Sequence, residues 1–147
     1  MHSNLKLAQE WMDAIRHKTS GTSPRNYVEK VILEAFTAGY NELSDGCTAV
    51  SDLGWPIPYP PCVGHDWLYF TGKYSRAEAD EWLKDAQEDF GMTSIRANLR
   101  YFGTRLFSWK AWRDHRKKKE KDPLYGTERW IVEERERRRR SENSKKS

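Results

Sequence analysis

Two helical stretches separated by Gly72 and Ser75 constrain the fold of this chain more than any other feature. Glycine suits the left-handed position that ends a helix. Ser75-Arg76-Ala77-Glu78 has the Ser-x-x-Glu form of a capping box, which starts the next helix. A connection this short folds the two helices back as an antiparallel hairpin. Positions equidistant from a turn centred near residue 72 or 73 then stand at the same height, and His65 and Asp80 are such a pair. A carboxylate facing an imidazole across a hairpin accepts a ring N–H, fixes the tautomer and raises the basicity of the other nitrogen. Asp66 follows His65 directly and Tyr69 lies one turn beyond it. The plain reading leaves His65 packed in the hairpin and Asp66 in solvent. Such a cluster of titratable groups points rather to a site.

Along the rest of the chain, apolar residues recur at helical spacing. Leu5 to Ile15 reads as a short amphipathic helix, followed by a polar linker from Lys18 to Ser23. Ser23-Pro24 is a helix start, and the helix it opens runs to about Tyr40, burying Val28, Val31, Ile32, Ala35 and Phe36. Residues 41–61 have no period; Asp45-Gly46 and the prolines at 56, 58, 60 and 61 mark a turn and then a stiff extended segment. A loop this long is more often functional than not. The hairpin helices are expected over about Pro60 to Phe70 and Arg76 to Phe90. The second carries Ala79, Leu83, Ala86 and Phe90 as its apolar stripe. From Ser94 a longer helix with Ile95, Leu99, Phe102, Leu106 and Trp109 on one face is expected to back the hairpin. A polar stretch from Arg113 to Lys121 follows, broken at Asp122-Pro123. A last helix from Thr127 has only Trp130, Ile131 and Val132 as apolar content before Arg137 to Arg140 and a Ser/Lys end expected to be disordered. With no convincing strand, the expected fold is all-α. It is a small helical bundle with a central antiparallel hairpin (residues 1–112, core 41–112) and a basic helical tail (residues 113–147).

Charge sharpens that division. Up to Trp109 there are 11 Lys and Arg against 14 Asp and Glu, and beyond it 15 against 8. A cationic tail suits the headgroups of an anionic phospholipid surface or the phosphates of nucleic acid; its interspersed Glu also allows a simple solvated helix. No apolar run is long enough to span a membrane. The start of the chain lacks a secretory pattern, so synthesis in the cytoplasm is expected. Two cysteines, Cys47 and Cys62, allow one intrachain disulfide, which would not persist in a reducing cytosol. Closing that loop would stabilise the chain by about 3 kcal/mol in the chain-entropy account.

Asp45, Gly46 and Asp52 make an oxygen-rich turn of the kind that wraps a hard cation, though ordinary turn chemistry uses the same residues. Zinc bound by Cys47, Cys62 and His65 is a rival, but the spacing lacks paired Cys-x-x-Cys or His-x-His ligands.

Cys62-x-x-His65-Asp66-x-x-Tyr69 resembles the active-site helix of the phospholipase A2 family. The resemblance covers about Asp45 to Asp80. It implies that His65 activates water, that Asp66 binds calcium, and that Tyr69 supports an Asp bonded to the histidine, here Asp80. It also implies a Cys47–Cys62 disulfide. The loop Asp45-Gly46-Cys47-Thr48-Ala49-Val50 is closer to the bacterial and fungal form than to the animal Cys-Gly-x-Gly-Gly loop, and this assigns Asp45 and Gly46 to the calcium shell. The expectation is a calcium-dependent phospholipid sn-2 ester hydrolase. His65-Asp66-x-x-Tyr69 with Ser75-Arg76-x-Glu78-Ala79-Asp80 and Arg105-Leu106-Phe107 is also similar to small phage-encoded proteins of undefined function. That second resemblance, reaching about Trp112, implies made-in-host, virion-associated or released protein. It opens an alternative: a non-catalytic virion structural or binding protein, with virion proteins or nucleic acid as partners.

Overall fold

The hairpin forms where its caps place it. In the computed structural model, which describes Lys6, Gln9, Glu10 and residues 25–44 and 59–146, helix α2 spans Pro60–Thr71 and α3 spans Arg76–Asp89. Prolines 60 and 61 fall in the first turn of α2, where a missing N–H costs nothing. Gly72 ends α2 at φ 70°, its N–H on the Leu68 carbonyl at 3.0 Å. Both halves of the capping box are made: Glu78 N–H donates to Ser75 Oγ at 3.2 Å, and Ser75 N–H donates to Glu78 Oε1 at 3.1 Å. The close approach of the two helices depends on Gly64. A Cβ placed there would lie 2.2 Å from Cη2 of Trp82.

Helix α1, Asn26–Thr37, lies against both arms. Val28, Val31, Ile32, Ala35 and Phe36 from α1 join Val63, Trp67, Leu68 and Phe70 from α2 and Ala79, Trp82, Leu83 and Ala86 from α3 in one apolar core. The start of α1 is tied down by Arg25, whose Nε donates to Asp89 at 3.0 Å, and by Trp82 Nε1, which donates to the Tyr27 carbonyl at 3.2 Å. A 3₁₀ turn follows at Tyr40–Glu42, and the Tyr40 ring stacks on Phe70 with centroids 4.8 Å apart.

Helix α4, Ser94–Phe107, reverses the expectation for its apolar stripe. It packs on α3, but Ile95, Leu99, Phe102 and Leu106 point outward and are 77, 67, 63 and 68 % exposed. The face turned inward carries Ala97, Arg100, Thr104 and Arg105. The cause lies on α3, which buries two polar side chains, Asp80 and Gln87. Buried polar groups need partners, and the polar face of α4 supplies them. Arg105 reaches Asp80, and Arg100 donates to Gln87 at 2.9 Å with the amide oxygen turned toward it.

Ser108 separates α4 from α5, Trp109–Lys121, and α5 returns to the hairpin through Trp112, His115 and Arg116. The Arg116 guanidinium donates to the carbonyls of Tyr69 and Phe70, placing positive charge at the C-terminal end of α2. Helix α6, Glu128–Lys146, continues through the Ser/Lys end that composition reads as disordered. Ladders of i,i+3 and i,i+4 pairs support it: Glu134 with Arg137 and Arg138, Glu136 with Arg139, Arg129 with Glu133. Residues beyond 112 reach the core, since Tyr125 and Trp130 flank Phe70 at 4.7 and 5.3 Å and Ile131 is fully buried. The fold is an all-α bundle, with no strand among the described residues and no described helix long and apolar enough to cross a membrane.

Candidate active site on the helix hairpin

The hairpin register brings His65 and Asp80 into contact, with Nε2 to Oδ1 at 2.7 Å. Asp80 is 0 % exposed and is fully coordinated. Oδ1 accepts from His65 and from the Tyr69 hydroxyl; Oδ2 accepts from Arg105 at 2.8 Å and from Ser108 at 3.3 Å. The Tyr69 oxygen also lies 2.8 Å from Ser108 Oγ, and its ring is tilted on that of His65 at 4.4 Å. Arg76, one turn before Asp80 on α3, stands 3.9 Å from Oδ2 and donates to Ser108 Oγ at 3.2 Å and to the Arg105 carbonyl.

Burial by itself would push the Asp80 carboxyl up. The bonds from His65, Tyr69 and Arg105 outweigh it and hold the group below the usual carboxylate range. Asp80 is therefore ionised and acts only as an acceptor, which assigns the Nε2 proton to His65; in the neutral ring Nδ1 then carries the lone pair. Among the described residues nothing is bonded to Nδ1. Burial, then the bond to Asp80, pushes the Tyr69 hydroxyl well above its ordinary range, so Tyr69 serves as a fixed neutral donor.

Asp66 lies on the next face of α2 and meets a second histidine. Its Oδ1 is 3.0 Å from His115 Nε2, and His115 Nδ1 is 2.6 Å from the Tyr125 hydroxyl. With Asp66 ionised, Nε2–H donates to it, and in the neutral ring the Tyr125 O–H donates to Nδ1. Both ring nitrogens of His115 are thus occupied, whereas His65 keeps one open. Burial raises the Asp66 carboxyl, but bonds from His115, Ser44 and Tyr40 bring it below its usual value.

The structure thus assembles His65, Tyr69 and Asp80 and directs Asp66 to a separate cluster. Asp45, Gly46 and Cys47, with Asp52, lie outside the described residues. Cys62 is buried in the first turn of α2. Asp66 is an ionised carboxylate, the charge a hard cation needs, but it already accepts bonds from His115, Ser44 and Tyr40, and the described residues hold no group of three or more His, Cys, Asp or Glu able to bind a metal. A cation there would compete with the His115 N–H for Oδ1. A cavity of about 680 Å³ bordered by Leu33, Glu34, Trp67 and Lys73 includes neither His65 nor Asp80, so it is not the mouth of this site.

Sequence reasoning missed Arg105, Ser108, His115 and Tyr125. Arg76 was accessible as the i−4 neighbour of Asp80. Arg105, Ser108 and His115 are brought in from 25 to 49 residues away, and Tyr125 joins through His115, with no local spacing to announce them. No family model, curated protein or solved structure matches the chain.

Proposed function

We propose that the chain is a calcium-dependent hydrolase of phospholipid sn-2 esters, with His65 as general base and Asp80 as the group that positions it. The observation that carries this reading is the 2.7 Å bond from His65 Nε2 to a buried, ionised Asp80, with Nδ1 left unbonded among the described residues. Water on Nδ1 gives its proton to the imidazole as its oxygen attacks the ester carbonyl carbon. Asp80 stabilises the imidazolium that forms. As the tetrahedral adduct collapses, the acyl carbon–oxygen bond breaks and Nδ1 returns the proton to the departing glycerol oxygen, giving fatty acid and lysophospholipid. Calcium bound by Asp66, Asp45 and the Gly46 backbone would supply positive charge for the lipid phosphate and the ester oxygen. In the same reading Cys47 pairs with Cys62 and fixes the loop beside α2.

Fatty-acid release from mixed phospholipid vesicles, with calcium or chelator, tests the proposal. Activity is expected to need calcium and to fall at least 100-fold in His65→Gln, with the fold unchanged by circular dichroism. A folded, oxidised protein inert on every phospholipid would leave the non-catalytic virion reading in its place.

A further inference from the structure

We propose that α4 is the surface by which this protein docks on an anionic phospholipid bilayer, its outward stripe entering the acyl boundary and its flanking cations meeting the headgroups. Ile95, Leu99, Phe102 and Leu106 follow one another at helical steps of four, three and four, and all are more than 60 % exposed. Phe107 and Trp109, on either side of Ser108, are exposed as well. A helix normally turns such a stripe into the core. Here the polar face is held inward by Asp80 and Gln87, so the outward direction of the stripe is built in.

Charge decides what covers it. From Phe90 to Arg113 there is no Asp or Glu, while Arg96, Arg100, Arg105, Lys110 and Arg113 are all basic. Arg96, Lys110 and Arg113 are exposed beside the stripe, and the Arg113 guanidinium lies over the Trp109 ring at 4.8 Å. A second copy packed through this face about a two-fold axis would set these cations against their own images with no carboxylate between Phe90 and Arg113 to pair them. Nucleic acid would satisfy the cations and leave the apolar stripe in water. An anionic bilayer satisfies both: apolar side chains at the acyl boundary, cations at the headgroups and a Trp between them.

Helix α6, at the end of the tail, is the weaker candidate for the same role. Arg137, Arg138 and Arg139 are paired with Glu134 and Glu136 within α6. Docking through α4 does not depend on hydrolysis, so the inert His65→Gln chain is the right one to test.

Flotation of full-length His65→Gln with phosphatidylglycerol vesicles and with phosphatidylcholine vesicles reads the partner. Adding Leu99→Asp with Phe102→Asp, or Gln at all of Arg137 to Arg140, reads the surface. Exposed positions tolerate such changes, and circular dichroism verifies the fold. The expected result is binding to phosphatidylglycerol at least tenfold above phosphatidylcholine. The α4 pair should lower it at least tenfold, and the tail change less than threefold. Folded protein that ignores phosphatidylglycerol vesicles would overturn the proposal. So would binding that survives the α4 pair, or a dimer in sedimentation velocity that the α4 pair dissolves.

Discussion

Asp80 and Asp66 are each held ionised by several donors, and each is linked to a histidine. Both carboxyls are lowered in the folded chain, so the unfolded chain binds more protons at acid pH and stability rises with pH there. The contribution is fully present above the unfolded carboxylate value of about 4 and is lost as pH falls through the lower folded values. Urea midpoints taken from pH 6 downward should hold until about pH 4 and then drop. Asp80→Asn should lower the midpoint at pH 6 and flatten the acid drop. A parent midpoint that does not change below pH 4 would contradict this account of the two carboxylates. His115 shows what an equally well-positioned histidine looks like without an open nitrogen: a tie between α2, α5 and Tyr125.

At the scale of elements, the hairpin is held by its turn and by the gap at Gly64. Gly64→Ala is expected to destabilise by about 1–3 kcal/mol, because the new methyl must displace a buried Trp82 ring. Gly103, in α4, is different: a Cβ added there would meet nothing within 4 Å, so Gly103→Ala should instead stabilise by about 0.5–1 kcal/mol. Thermal melts of the two variants check the opposite signs, and two shifts of the same sign would refute the packing described. The hairpin was legible in the sequence because Gly72, Ser75 and Glu78 act locally, and the His65–Asp80 register follows by counting from the turn. The facing of α4 was not legible. An apolar stripe at helical spacing looks the same whether it meets a core or solvent, and the choice rests on Asp80 and Gln87 in another helix. His115 was hidden for a similar reason: in sequence it sits in a charged run, and its partner Asp66 is 49 residues away.

Across the whole molecule, the two cationic regions have different standing. Helix α6 pairs Arg137, Arg138 and Arg139 with its own glutamates and Arg135 with Glu42, which accepts at 2.6 Å. Helix α4 combines cations with an uncovered apolar face, and it also sends Arg105 inward to Asp80. The element proposed to dock on a bilayer therefore also braces the carboxylate bonded to His65. Everything proposed for that site depends on which nitrogen of His65 carries the proton. The direct measurement is the ¹⁵N–¹H correlation spectrum of the histidine rings, assigned through His65→Gln and His115→Gln, at a pH where both rings are neutral. The expected result is protonated Nε2 and a bare Nδ1 at His65, and protonated Nε2 with a hydrogen-bonded Nδ1 at His115. A His65 ring carrying its proton on Nδ1 would contradict it, because the nitrogen meant to receive a proton from water would already hold one.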